Sequence, residues 1–287
     1  DGIVGRLDDE RYYLTATTSH ADTTYRLLGR YIAEWGLNVR LVNRTGQLAA
    51  MNLAGPFSRK LLASLTDIDL GDEAFPYLGI REGNIMGIPA RLMRVGFVGE
   101  LGYEIHVPYE RGEELWQILM EQGKNYDIRP FGVEAQRRLR MEKGHIIVGQ
   151  DTDGLTTPFE AGMPWSVHLK KVFFTGRNSL EILKPRTKRI LTGFQLPVEY
   201  ESPEVLESHL IIHDGEIKGR VTSVAYSPAL GRVIGMAMLD SEMADQISPL
   251  LIRTTSGVLV KAEQVSMPFY DADNLRQQVD IEKKGAS

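Results

Sequence analysis

The sequence predicts an α+β fold in which antiparallel sheets carry packed helices, followed by a small all-β barrel. Three observations predict it. The first third of the chain alternates β-β-α-β-β-α, an order that belongs to antiparallel pairing rather than to a parallel doubly wound sheet. The basic, proline-containing run Lys184-Pro185-Arg186-Thr187-Lys188-Arg189 marks a junction. Beyond it the pattern is almost purely β, with tight turns between short apolar runs.

Taken in order, residues 2–7 and 11–17 hold β-branched and aromatic residues around the turn cluster Asp8-Asp9-Glu10, and predict a hairpin. From His20 to Trp35 the apolar positions Tyr25, Leu27, Leu28, Tyr31, Ile32 and Trp35 recur at three- and four-residue spacing, and Gly36 ends the run. That is a helix with a glycine stop. Strands are expected over 38–44 and 47–54, joined at Thr45-Gly46, then a short helix over 58–65. Residues 85–96 and 103–108 read as a strand pair, 110–122 as a helix, and a second helix begins near Gly132. After a helical end at 179–183 come strands at 190–196, 209–213, 216–225, 233–239, 250–254 and 258–265, with a hairpin turn at Asp214-Gly215. The expected domains are 1–187 and 188–270, with a polar tail over 271–287.

The chain has 287 residues, 43% of them apolar and 25% charged, which makes it an ordinary globular sequence with enough apolar side chains for a core. The absence of cysteine removes disulfides, iron–sulfur ligation, Cys-held zinc and thiol nucleophiles together. A formal charge of −5 argues against nucleic acid as a partner. No uncharged apolar run reaches the roughly 20 residues of a membrane span. A cytoplasmic address is consistent with these features. The chain opens Asp1-Gly2-Ile3-Val4, with no initiator Met and already in a strand pattern, and the expectation is a fragment or a processed product.

No Gly-x-Gly-x-x-Gly follows a strand and no Walker loop is present, so flavin or nicotinamide chemistry is expected only from other domains or subunits. None of the six histidines belongs to a His-Glu-x-x-His motif, and no metal site is expected; His209 and His213 read as surface residues of a strand. No Gly-x-Ser-x-Gly elbow nominates a nucleophile.

Two blocks carry more. In Gly96-Phe97-Val98-Gly99-Glu100-Leu101-Gly102-Tyr103-Glu104-Ile105 the glycines allow close backbone approach to a ligand, and Glu104 interrupts an apolar strand. An inward carboxylate accepts two parallel N–H bonds from a planar amidine-like edge, that of an arginine or of a 2-amino-pyrimidinone. An exposed strand residue or an internal Arg pair is the alternative. The second block runs from Gly132 to Asp153. On a helix, its Gln136, Arg140 and Lys143 fall near one face, and Arg140 has the chemistry to hold a carboxylate. A solvated face with i,i+4 pairs is the plainer reading of that helix.

Together these blocks resemble the folate-dependent aminomethyltransferase family, which includes the glycine-cleavage T-protein and the carboxy-terminal half of the heterotetrameric sarcosine oxidase alpha subunit. The likeness runs along essentially the whole chain. It includes Gly102-Tyr103-Glu104-Ile105, the run 139–144, Ile146-Ile147-Val148-Gly149-Gln150-Asp151-Thr152-Asp153-Gly154, Gly162-Met163-Pro164-Trp165, the segment 221–231 and Met267-Pro268-Phe269-Tyr270-Asp271. The segment after Glu142 is closer to the oxidase branch than to the T-protein branch. A folate-binding branch linked to iron–sulfur assembly is similar nearby, but its Cys is His145 here.

The resemblance implies an aminomethyltransferase-like folate-binding fold with its N-terminal part preceding Asp1, and tetrahydrofolate as cofactor. It implies that Glu104 binds the pterin edge, that Arg140 orients either Glu104 or the folate tail, and that Tyr103, Phe97 (in place of a family Tyr), Trp165 and Thr17 (in place of a folate-contacting Asn) belong to the folate site. Asp1 matches the second member of an Asp-Asp pair that carries the family's catalytic acid, the first being placed just outside the chain. Were the upstream segment absent, folate binding would be expected to persist and turnover to fail. The implied activity is one-carbon transfer, as the folate module of a sarcosine oxidase-like N-methylamino acid oxidase with flavoprotein partners. The alternatives are a stand-alone aminomethyltransferase, a folate-dependent demethylase, or a folate-binding regulatory or structural subunit.

Overall fold

The computed structural model describes residues 2–200, 204–244 and 249–278. Asp1 lies outside the described residues, as does most of the expected polar tail, 279–287. The chain forms two compact units: residues 1–96, 100–130 and 276–287 make the first, and 97–99 with 131–275 the second.

Unit 1 begins with the expected hairpin, β1 (Val4–Arg6) and β2 (Tyr12–Leu14), paired antiparallel with Gly5 opposite Tyr13. Helix α1 (Ala21–Glu34) follows at the periodic segment, yet none of its residues is buried. Residues 38–44 are not a strand. Their alternation finds no neighbouring strand, and the Asn43 side chain instead accepts the Thr45 N–H at 3.0 Å to close a turn. The sheet proper comprises β3 (Leu48–Ala54), β4 (Ile80–Ile85), β5 (Ile88–Met93) and β6 (Gly102–Pro108) in the order β3-β6-β5-β4. The strand expected over 85–96 is thus β5, and the strand before it, β4, is an unexpected hairpin partner. The turn between them, Met86-Gly87, has left-handed backbone at both positions (φ 48° and 79°), and a methionine in the first place hid it from the sequence pattern.

One face of this sheet holds the core. Tyr103, Ile105 and Val107 of β6 pack with Leu53, Leu92 and Phe75 against α2 (Ser58–Ala63) and α3 (Gly112–Gln122), through Leu61, Leu62, Leu115 and Leu119. The other face presents Glu104 between Asn52 and Met93, and His106 between Ala50 and Arg91. A smaller cluster there, Ile80, Met93 and Val95 with Ile3, Leu7 and Tyr13, seats the hairpin on that face.

Unit 2 holds α4 (Val133–Glu142), α5 (Arg177–Leu183), β7 (Arg189–Gln195), β8 (Leu210–His213), β9 (Glu216–Ser227), β10 (Arg232–Asp240), α6 (Ser241–Ala244), β11 (Leu250–Arg253) and β12 (Leu259–Val265). The six strands close into a barrel in the order β10-β7-β12-β11-β8-β9. Asp214 and Gly215 make the expected tight turn, with φ of 50° and 80°. The barrel interior is filled by Phe194, Ile211, Val221, Val233, Leu239, Ile252 and Val260 among others.

The compact units part after Pro130, and the first barrel strand begins at Arg189, next to the expected 187/188 junction. Between 131 and 188 the only buried apolar residues described are Met141 and Ala161. That segment has too little apolar surface for a core of its own, and its buried groups are partnered by the barrel.

Candidate functional site

Glu104 stands where the sequence placed it, on a strand interior to the sheet. Its side chain is 36% exposed and faces away from the core. Oε2 lies 3.5 Å from His106 Nε2, and among the described residues the Glu104 side chain makes no hydrogen bond. The carboxylate is therefore open to a ligand's N–H groups. The expected internal arginine pair is not what holds it: Arg91, on the neighbouring strand, binds Glu82 at 2.6 Å instead.

Tyr103 departs from the expectation. Successive residues of a strand face opposite sides, so Tyr103 points into the core, fully buried, where its ring lies 5.7 Å from that of Phe75 and its hydroxyl accepts from Arg59 at 3.2 Å. It is a packing residue and not a surface for a ligand. Thr17, just beyond β2, is exposed, and its carbonyl accepts the His20 N–H at 2.8 Å.

The remaining expected residues belong to unit 2. Phe97 is 37% exposed and stacks on the His145 imidazole at 5.9 Å. Trp165 lies in a short 3-10 turn, Pro164–Ser166, and is 71% exposed. Arg140 does hold a carboxylate, but it is that of Asp151 within its own unit, and its side chain is 1% exposed rather than on a solvated face. Nη1 donates to Asp151 Oδ2 at 2.6 Å and to the His145 carbonyl at 2.9 Å, and Nη2 donates to Ser223 Oγ at 2.7 Å. Asp151 in turn accepts from Ser223 and Thr222 hydroxyls on its other oxygen, at 2.5 and 2.7 Å. Two sequence blocks far apart in the chain are thus partners in one buried network. Glu142, two residues on from Arg140, is likewise partnered, accepting from Ser227 Oγ at 2.5 Å, and the Lys143 ammonium meets the Asp271 carboxylate at 3.2 Å. The expected common face of Gln136, Arg140 and Lys143 is therefore divided, since the last two are buried in separate networks.

The glycines of the 96–102 block serve the chain's own turn. A Cβ on Gly96 would lie 2.6 Å from the Glu100 carbonyl oxygen, and Gly99 has φ +82°. A cavity of about 490 Å³ lies beside α4 and β9, lined among others by Arg137, Arg138, Gln150, Glu207 and Tyr226. Among the described residues no group of three His, Cys, Asp or Glu is placed to hold a metal, and no helix is long and apolar enough to cross a membrane.

His145 is the titrating group that the sequence reading passed over except as a missing cysteine. Its Nδ1–H donates to the Phe97 carbonyl at 2.8 Å. Burial pushes its pKa down, with the Lys143 and Arg140 charges adding to that and the Phe97 carbonyl opposing it. The unfolded chain keeps an ordinary value near 6.5 and so binds more protons than the folded one below neutrality. This group's contribution is therefore present above that value and is lost as pH falls. Urea denaturation at pH 7 and pH 5 is expected to show a stability loss on acidification that is smaller in His145→Gln. An equal loss in both would remove His145 as its source.

The comparisons with known proteins agree with this architecture. Residues 1–171 match the GCVT N-terminal domain, and residues 189–271 match the glycine cleavage T-protein C-terminal barrel domain. The chain is 34% identical over 289 residues to the sarcosine oxidase subunit alpha of Corynebacterium sp. (strain P-1), covering 96% of this chain and 30% of that one. It is 31% identical to the aminomethyltransferase of Thermosipho melanesiensis, covering 99% of this chain and 74% of that protein. The crystal structure of the glycine cleavage system aminomethyltransferase T from Bartonella henselae superposes with a TM-score of 0.78 at 21% identity, over 93% of this chain and 71% of that one, and shows the same fold. The chain thus spans under a third of the oxidase subunit and about three quarters of the transferase. With both domains matched and the barrel closed as described, the chain belongs to the glycine cleavage T-protein family.

Proposed function

We propose that this chain binds tetrahydrofolate and serves one-carbon transfer as the folate module of a sarcosine oxidase-like N-methylamino acid oxidase. The observation that carries the reading is the open carboxylate of Glu104, half-buried within a strand whose other face is core. A carboxylate in that setting, without an arginine partner, fits the paired N–H donors of a pterin edge. Thr17 is proposed to contact the same ligand. Phe97 and Trp165 are each proposed as aromatic folate contacts on the same resemblance. Catalytic acid chemistry is proposed for Asp1, which lies outside the described residues.

When bound, tetrahydrofolate supplies the nitrogen nucleophile that takes the one-carbon unit of an oxidised N-methylamino acid's imine, giving methylene-tetrahydrofolate and the free amino acid. The work of Glu104 is to hold the pterin in one orientation, since a bidentate contact fixes a plane as well as a distance. Oxidation of the amine is assigned to flavin-bearing domains or subunits, and similarity to sarcosine oxidase subunit alpha favours that setting over a lipoyl-carried substrate.

Calorimetry with tetrahydrofolate tests the reading. Binding by the wild-type chain and a loss of about 100-fold in Glu104→Ala is expected, the size of two charge-assisted hydrogen bonds. No binding by the wild type overturns it. Binding without formaldehyde-dependent formation of methylene-tetrahydrofolate would assign the chain to passive folate binding instead.

A further inference from the structure

The open face of the unit 1 sheet carries a second arrangement, which the proposed function leaves unused. Glu104 and His106 are two residues apart on β6 and share that face. Tyr13 of β2 closes over His106, its hydroxyl 2.6 Å from Nδ1 and its ring meeting the imidazole edge-on at 5.5 Å. Arg91, opposite His106 in register, lays its guanidinium 4.0 Å from the Tyr13 ring centroid and is anchored by Glu82 at 2.6 Å. Ala50, on the strand at the other side of His106, adds no charge. Tyr13, Arg91, Arg44, Glu82 and Glu104 are the titratable and charged groups around the Tyr13–His106 pair.

Burial pushes the Tyr13 phenol up, against the pull of the Arg91 charge, so the phenol keeps its proton. With that proton donated to Nδ1 of His106, the ring's own proton sits on Nε2. That nitrogen is the one 3.5 Å from Glu104 Oε2, a favourable electrostatic contact that is longer than a hydrogen bond. The order is phenol to imidazole to carboxylate.

We propose that Tyr13 and His106 are positioning residues for Glu104, the imidazole restraining one carboxylate oxygen so that the other edge is presented to a ligand's N–H donors. The proposal rests on the reading of Glu104 as the ligand-binding carboxylate. Catalytic triads of the Ser-His-Asp kind have a similar look, but here the hydroxyl is a phenol whose burial keeps it protonated, so no nucleophile is generated.

Tetrahydrofolate affinity of the full chain is the test, with melting temperature recorded for each variant. His106→Leu is expected to weaken binding about fivefold, less than a full charge-assisted hydrogen bond because the contact is long, and Tyr13→Phe about twofold. His106→Gln should recover most of the loss, because its amide keeps a donor toward Glu104 and an acceptor for Tyr13. In a Glu104→Ala background His106→Leu should have no further effect. Unchanged affinity in His106→Leu, or an undiminished effect without Glu104, overturns the proposal. Should the wild type fail to bind, the folate reading falls by itself, and imidazole 15N spectra then decide this one. A single Nε2–H tautomer of His106 that becomes mixed in Tyr13→Phe supports it, and an Nδ1–H tautomer or no change overturns it.

Discussion

Asp151→Ala is expected to destabilise unit 2 by about 3–5 kcal/mol, the cost of leaving a buried charge without its partner. The Asp151 side chain is fully buried and its two oxygens accept four donors: Ser223 and Thr222 hydroxyls on Oδ1, and Arg140 Nη1 with the Ile147 N–H at 2.8 Å on Oδ2. Without it, the Arg140 guanidinium at 1% exposure retains hydrogen bonds to the His145 carbonyl and Ser223 but has no counter-charge among the described residues. Urea unfolding measures the total, and amide hydrogen exchange along β9 localises it, since a chain of two units need not unfold in one step. Arg140→Met combined with Asp151→Leu should cost less than Asp151→Ala alone, because apolar groups of similar size remove the desolvation penalty together with the pair. Equal costs would show that the packing around the pair, and not its charge, is what Asp151→Ala disturbs.

Phe194→Ala is expected to cost about 3–5 kcal/mol by opening a cavity in the barrel. The ring is fully buried among Val221, Val233, Ile252 and Val260 and lies over Gly235, its register partner on β10. A Cβ on Gly235 would fall 2.2 Å from the Phe194 ring and 2.7 Å from the Ser223 carbonyl oxygen. The glycine is therefore the recess that the ring fills. Phe194→Leu, which keeps much of the volume, should cost only about 1–1.5 kcal/mol. Gly235→Ala is expected to destabilise on its own and to lose part of that effect when combined with Phe194→Ala, since one of its two clashes is then relieved. Thermal unfolding of the four chains checks this, and strict additivity would mean that the two positions are not coupled.

Much of the local structure was legible in the residues. Helices α1, α2, α3 and α4 fall where apolar spacing and glycine stops put them, and the barrel strands follow the alternation and turn signals after the basic run at 184–189. The failures share a cause. Residues 38–44 alternate well enough for a strand, but alternation supplies no partner, and the sheet takes β6 as the neighbour of β3 instead. The hairpin of β4 and β5 required a left-handed Met86, which no propensity favours, and so β4 went unread. The composition shift at 187/188 marks where the barrel begins, while the grouping of residues 131–188 with the barrel follows from where they bury their polar groups.

The candidate site divides along the same line. Composition and pattern by themselves determined the two-layer start, the closing barrel, the lack of thiol chemistry and an out-of-place carboxylate at Glu104, because each is a property of residue type or of spacing along one element. Only the tertiary structure decided what the charges touch. It turned Tyr103 into the core by strand alternation, took Arg140 for Asp151 because a buried guanidinium needs a counter-ion, and set His106 and Tyr13 beside Glu104. Tyr13 and His106 are 93 residues apart in the chain, and Arg140 and Ser223 are 83 apart. Partnerships at that range are fixed by sheet register and by the demand that buried polar groups be satisfied, and neither is written in local periodicity.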